Sequence, residues 1–278
     1  MTSAVVGTVS EALGSAADAI AAAGADSPQL DAALLLSAAT GLDRARLAAE
    51  PELGVDAVAA RAFGAMVRRR VTREPVAYIL GRKGFRRIEL EVDPRVLIPR
   101  PETELLVEVA RELAPAAVLD VGTGSGAIAL AIADELPAAA VTATDTSLDA
   151  LAVAKRNRER LGFTERVRLA YGSLEPGPFD LVLANLPYVG EGEWQGLAAE
   201  IREFEPYEAL VSGPTGLEAI EVLLADLGLG GSLPEAIALE VGAGQATIVA
   251  ELVRRAGFER VETRPDLAGI ERLVVGWL

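Results

Sequence analysis

Two short stretches of this sequence hold residues whose types and spacing could do chemistry. The first is DVGTGSG, Asp120 to Gly126, where an apolar run gives way to a helical pattern. Glycines at such a turn permit left-handed backbone and let the main chain approach a ligand closely. The helix that follows offers unpaired N–H groups to the same ligand. Gly122, Thr123, Gly124, Ser125 and Gly126 are therefore expected to cradle a nucleotide-like cofactor. Gly122, Gly124 and Ala127 also satisfy the dinucleotide pattern G-x-G-x-x-G/A. Asp145 closes the next apolar run, 19 residues after Gly126. Its carboxylate suits the ribose hydroxyls of NAD or of an adenosyl cofactor equally, or it could cap a helix over 147–161. The second stretch is Asn185-Leu186-Pro187-Tyr188, directly after the apolar run FDLVLA. In isolation an Asn-x-Pro step is a common turn, but no dinucleotide dehydrogenase pattern asks for this tetrapeptide.

Composition removes many alternatives. The 278 residues include no histidine and no cysteine. Ser-His-Asp hydrolysis, histidine-ligated zinc, thiolate nucleophiles and disulfides are excluded, and no metal is expected. With 51% hydrophobic and 24% charged residues the chain reads as globular. Mean hydropathy is +0.30, yet acidic, basic, Gly or Pro residues interrupt every apolar stretch before a membrane-spanning length. Residues 1–20 carry Glu11 and Asp18 and no basic cluster, so no signal peptide is expected. These features predict a soluble cytoplasmic protein with no membrane partner.

Net charge is −15 and unevenly placed: residues 1–100 sum to +1 and the remainder to −16. Ten of the basic residues fall within 68–100: Arg68, Arg69, Arg70, Arg73, Arg82, Lys83, Arg86, Arg87, Arg95 and Arg100. The run predicts either an acidic or phosphate-bearing partner or an ordinary solvated face. The acidic remainder argues against stable nucleic-acid binding.

The elements that must position the two motifs follow from periodicity. The first 75 residues read as helices, with Ser27-Pro28 opening one that stops at Gly41. GFRRIELEV (84–92) reads as a short strand or hairpin, and the prolines at 94, 99 and 101 as a linker entering a helix near Glu102. Beyond residue 100, strands at 117–121, 139–145, 166–172, 179–185 and 235–242 alternate with helical segments, and two closing strands form a hairpin. Such alternation predicts an α/β fold with a mostly parallel sheet. The expected domains are helical, residues 1–83; a hairpin linker, 84–100; and a Rossmann-like domain of seven strands, 101–278. Both motifs then fall at carboxyl ends of strands, where such sheets bind ligands.

Asn185 to Tyr188 resembles the (N/D)-P-P-(Y/F/W) motif of S-adenosylmethionine-dependent methyltransferases that modify planar amide or amine nitrogens. A planar NH2 group is a poor nucleophile because its lone pair is delocalised. A side-chain amide oxygen and a main-chain carbonyl can accept its two hydrogens, orient it and favour pyramidalisation, so positioning carries the rate. Tyr188 would offer a face for the substrate. The wider chain resembles the release factor glutamine methyltransferases. EPVAYILG (74–81), VLIPRPETELL (96–106), VLDVGTGSGAIALA (118–131), FDLVLANLPYV (179–189) and EPYEAL (205–210) occur in family order. VLIPRPETE is the most specific, since nucleic-acid methyltransferases sharing the tetrapeptide do not generally carry it.

The resemblance implies a seven-stranded S-adenosylmethionine-dependent methyltransferase domain and a small N-terminal helical domain that docks substrate. It implies methylation of the glutamine in the Gly-Gly-Gln motif of class I peptide chain release factors. Gly122 to Gly126 would wrap the methionine and ribose parts of S-adenosylmethionine, Asp145 would hold the ribose, and Ser173 would lie beside the adenine. Asn185 and the carbonyl of Leu186 would accept the amide hydrogens, with Pro187 and Tyr188 walling the pocket. A monomer is expected. The rival readings are an amino-methyltransferase acting on adenine or cytosine of nucleic acid, an impaired release-factor- or ribosome-binding homologue, and an NAD dehydrogenase. Leu186 stands where the motif has its first proline. That exchange restores backbone freedom worth about 0.5–1 kcal/mol.

Overall fold

The computed structural model describes residues 5–229 and 233–278, so the first four residues of the expected helical domain lie outside it. The chain divides into two compact units, one of residues 82–197 and 205–278, the other of residues up to Gly81 together with Ala198–Phe204.

The larger unit is organised by seven strands: β1 (Ala117–Val121), β2 (Ala140–Asp145), β3 (Val167–Tyr171), β4 (Leu181–Ala184), β5 (Ala236–Glu240), β6 (Arg260–Pro265) and β7 (Glu271–Trp277). Their order across the sheet is 3-2-1-4-5-7-6. The first five strands run parallel, and β7 is antiparallel to both its neighbours, as the closing hairpin requires. Every residue of β4 and β5 is buried, which is why these strands read as continuous apolar runs rather than alternating ones.

Five helices cover the sheet: α1 (Glu104–Leu113), α2 (Ala127–Glu135), α3 (Leu148–Arg160), α4 (Glu218–Leu229) and α5 (Ala246–Arg255). Ile220, Leu223 and Leu227 of α4 and Val249 and Val253 of α5 pack with Leu119, Val182, Ile237 and Val274 on one face. Strand side chains alternate, so Asp120 and Glu240 point to the other face, where α1, α2 and α3 adjoin. The sheet order reverses between β1 and β4, and their carboxyl ends flank the crevice that this reversal opens. DVGTGSG leaves the first and Asn185 to Tyr188 leaves the second.

The helix expected from Glu102 starts later. Pro101–Thr103 forms one tight 3₁₀ turn before α1, and this turns Thr103 inward to 4% exposure. The expected hairpin pairs Arg82–Phe85 with Ile88–Glu91. It lies inside the larger unit, because Phe85 and Leu90 are buried and Asn157 of α3 ties its second strand down.

The smaller unit holds helices Val9–Ala22, Pro28–Thr40, Arg44–Ala49, Ala57–Val71, Val76–Leu80 and Ala199–Phe204. Ile20, Leu35, Leu36, Leu47, Phe63 and Ile79 form its core. It is not wholly helical, as its sequence suggested: Val5–Thr8 pairs with Gly54–Asp56. These strands are too short to show a period. They are the extended entries to helices that Thr8 and Asp56 cap with their side chains. Arg70, almost fully buried, bonds Asp31 at 2.7 Å and Glu200 at 3.0 Å.

Eight of the ten basic residues in the run are ion-paired. Arg69, Arg70, Arg73, Arg82, Arg86, Arg87, Arg95 and Arg100 are each ion-paired within their own unit, to Glu74, Asp31, Glu200, Glu89, Glu135, Asp134, Asp93 and Glu205 respectively. Acids distant in sequence pair five of these arginines, and the neighbouring Glu74, Glu89 and Asp93 pair the other three.

Candidate active site

A cavity of about 680 Å³ opens at the crevice between the ends of β1 and β4. One wall is the glycine loop. Gly122 and Gly126 have φ of +72° and +86°, and a Cβ at Gly126 would sit 2.8 Å from Leu130 Cδ1. Asp120, fully buried, braces the loop from behind. Its Oδ2 accepts the Thr123 hydroxyl at 2.6 Å and the Ala129 N–H at 3.1 Å. Burial pushes its pKa up to about 7, against the pull of those hydrogen bonds. Asn157 donates to the Ser125 carbonyl at 2.9 Å and pairs with both main-chain groups of Glu91, so it joins loop and hairpin.

Asp145 closes the loop from the β2 side. Its Oδ2 accepts the Gly124 N–H at 2.9 Å and its Oδ1 the Ser147 N–H at 2.8 Å. The helix cap itself is Ser147, whose hydroxyl accepts the Ala150 N–H. Burial raises the Asp145 pKa, with the main-chain hydrogen bonds opposing it. The lone pairs that remain can accept a ligand hydroxyl.

The opposite wall is built from Asn185, Leu186 and Pro187. Asn185 Nδ2 donates to Thr103 Oγ1 at 2.9 Å, and its Oδ1 takes no hydrogen bond among the described residues. The Leu186 side chain packs toward the core. It also stands close to Gly122, where an added Cβ would meet its Cδ2 at 3.0 Å. Downstream, Gln245 donates to the Tyr188 carbonyl at 2.8 Å and accepts the Gly242 N–H at 2.8 Å, which clamps the loop. The segment Val96, Leu97 and Pro99 also lines the cavity. Glu205 holds it by accepting the Ile98 N–H at 3.0 Å and pairing with Arg100.

Sequence relatives add an independent line. Residues 11–81 match the model described as PrmC N-terminal domain, and 101–202 match the methyltransferase small domain. A release factor glutamine methyltransferase from Gloeobacter violaceus is 44% identical over 264 residues, covering 90% of each chain. The chain belongs to the release factor glutamine methyltransferase family. A second member, from Caulobacter vibrioides, is 38% identical over 97% of this chain and 96% of its own. Among solved structures, the hMettl16 catalytic domain in complex with MAT2A 3'UTR hairpin 6 superposes with a TM-score of 0.56. That match covers 68% of this chain and 75% of that one at 15% identity, a likeness of fold. The chain thus has the seven-stranded methyltransferase fold, and none of its described helices is long and apolar enough to cross a membrane.

Within this family member the cavity brings together Gly122, Thr123, Gly124, Ser125, Asp145, Ser173, Asn185, Leu186 and Pro187. Gly126 and Tyr188 are not among the lining residues. Gly126 lies behind the loop against Leu130, and Tyr188 turns its hydroxyl to Glu240, 3.4 Å away. Burial and the nearby Glu240 carboxylate push the Tyr188 pKa up to about 12. Sequence reasoning missed Asp120, Asn157, Thr103 and Glu240. Asp120 stood in the glycine motif itself. Thr103 and Glu240 stood at the ends of predicted elements, with no local spacing to link them to Asn185.

Proposed function

We propose that this chain methylates the side-chain amide nitrogen of the glutamine in the Gly-Gly-Gln motif of class I peptide chain release factors. The methyl donor is S-adenosylmethionine. The observation that carries the reading is Asn185: its NH2 is tied back to Thr103, and its Oδ1, unbonded among the described residues, lies beside the glycine loop of the same cavity.

The residues present fit the donor. The left-handed glycine loop leaves room for a ligand at Gly124, where an added Cβ would meet nothing within 4 Å. Asp145 offers lone pairs to a ribose, and Gly172 and Ser173 line the cavity as an adenine shelf would. When bound, S-adenosylmethionine supplies a methyl group on a positively charged sulfur. Everything else falls to the protein. Asn185 Oδ1 and the Leu186 carbonyl accept the two amide hydrogens of the substrate glutamine. They fix the plane of the NH2 and favour the pyramidal nitrogen that attack requires. They also stabilise the positive charge that develops on that nitrogen, which then loses one proton to solvent. Acceptors placed in advance cost no reorganisation at the moment of reaction. Pro187 restricts the main chain that carries the second acceptor. In this reading the N-terminal helical domain docks the protein substrate, and the enzyme acts as a monomer on protein rather than nucleic acid.

Transfer of labelled methyl from S-adenosylmethionine to a purified, unmodified class I release factor tests this. Label on the release factor that disappears in Asn185→Ala supports the reading. Label on RNA or DNA instead would replace it with the nucleic-acid alternative.

A further inference from the structure

The segment EPYEAL, residues 205–210, carries two side chains that the reaction outlined above does not use, Tyr207 and Glu208. Its two ends are tied to the segments that border Asn185. The buried Glu205 carboxylate accepts the Ile98 N–H at 3.0 Å and pairs with Arg100, three residues before Thr103. The Leu210 carbonyl accepts the Val189 N–H at 2.9 Å, one residue after Tyr188. A tight 3₁₀ turn, Tyr207–Ala209, fills the span between them. Pro206, Glu208 and Ala209 line the cavity, so the turn stands on the Asn185 side of its mouth. Tyr207 is 42% exposed and packs edge-on against Trp194, with ring centroids 4.8 Å apart and planes at 72°. Glu208 is exposed and has no hydrogen bond or ion pair among the described residues.

We propose that Trp194, Tyr207 and Glu208 form a docking rim for the substrate segment that carries the target glutamine. The rim selects bare main chain with a basic side chain nearby. The inference rests on the reading of this cavity as the site of glutamine methylation, in which the target follows two glycines. A glycine pair has no Cβ, so its main chain can lie directly on an aromatic ring. Exposed aromatic side chains at a pocket edge are also the type that carries most binding energy at interfaces. Glu208 supplies the charged part of the rim. Residues 101–278 sum to a net charge of −16. An acidic body of this kind draws a basic partner and repels an acidic one. The counter-ion that Glu208 lacks in the fold then arrives with the substrate, as a Lys or Arg beside the glycines. The turn is fixed at both ends before any substrate arrives, so little ordering remains to oppose binding.

The test is steady-state methylation of an unmodified class I release factor at varied release-factor concentration. S-adenosylmethionine affinity and melting temperature are measured on the same preparations. Glu208→Lys reverses the charge and is expected to raise KM for the release factor about 10-fold or more. Tyr207→Ala is expected to raise it about 5- to 30-fold, the scale of a lost aromatic anchor. Both losses should fall on KM rather than kcat, because neither side chain meets the reacting atoms. Tyr207→Phe keeps the ring and is expected to recover most of the Tyr207→Ala loss. Glu208→Gln is expected to raise KM about 2- to 5-fold. It should also remove most of the rise of KM with ionic strength, since salt screens the wild-type pair. Should Tyr207→Ala fail to fold, the two Glu208 variants carry the test. Wild-type KM in Glu208→Lys and Tyr207→Ala overturns the inference and leaves the function standing, as does a loss confined to kcat or to cofactor affinity. A wild-type protein that methylates no release factor overturns the function, and the inference with it.

Discussion

The two sides of the cavity are built on opposite principles. On the β1 side the ligand surface is main chain: glycines in left-handed conformation, with Asp120 and Asp145 accepting N–H groups to hold the turn. On the β4 side the proposed working surface is one side chain, Asn185, held by Thr103 on the turn before α1. A backbone cradle is specified by a few adjacent residues and tolerates change in its surroundings. An oriented amide depends on its hydrogen-bond partner and fails when that partner changes direction. The first kind of site holds a ligand common to many reactions; the second selects what is modified.

Substitutions on the two sides should therefore separate binding from turnover. Asn185→Ala is expected to lower kcat by about 10²- to 10³-fold, the cost of one preorganised transition-state partner. Its S-adenosylmethionine affinity, measured by calorimetry, should change little. Asp145→Ala should do the reverse, weakening cofactor binding by about 10- to 100-fold through lost hydrogen bonds to a charged group. At saturating cofactor its kcat should recover toward wild type. If both variants lose affinity and turnover together, the two sides are one unit and the comparison fails.

A smaller effect sharpens the comparison through pH. Asp120 and Glu240 both have pKa values raised by burial to about 7. Below the unfolded carboxyl pKa both folded and unfolded states are protonated, and no penalty arises. As pH rises the unfolded groups ionise first, so stability falls until the folded groups ionise near pH 7 and then levels off. Melting temperature is therefore expected to decline between about pH 5 and 7.5. Asp120→Asn and Glu240→Gln should each flatten part of that decline. A wild-type melting curve that rises across this window would show that neither carboxyl keeps its proton in the fold.

The smallest effect concerns Leu186. Proline at this position would restore about 0.5–1 kcal/mol of backbone restraint, worth a two- to fivefold gain in turnover. Leu186→Pro also gives up the packing of Leu186 beside Gly122. Turnover within about fivefold of wild type is expected, with a slightly lower melting temperature. A rise of more than about 100-fold would mark the natural leucine as a disabling change.

What could be read from the sequence follows the same division. The β1 side was visible because Gly122 to Gly126 and Asp145 act through neighbouring main chain, and strand periodicity placed them. Asn185 was visible as a residue type at a strand end. Its orientation was not, because Thr103 lies 82 residues away and sits on a turn that the sequence read as helix. The same distance effect hid the pairing of the basic run, whose Arg86 meets Glu135, 49 residues on. It also hid Asn157, an unremarked helix residue that ties hairpin to loop across 66 and 32 positions. Local rules predict elements, and buried polar contacts between elements decide how the site is aimed.

The central claim is that Asn185 presents an oxygen, not an amine, to a glutamine side chain beside the methyl donor. Mass spectrometry of a class I release factor, after incubation with this protein and S-adenosylmethionine, tests it directly. The account predicts one added methyl on the side chain of the Gly-Gly-Gln glutamine, absent with Asn185→Ala. A methyl on another residue, or on the same glutamine with Asn185→Ala as fully as with wild type, would contradict it.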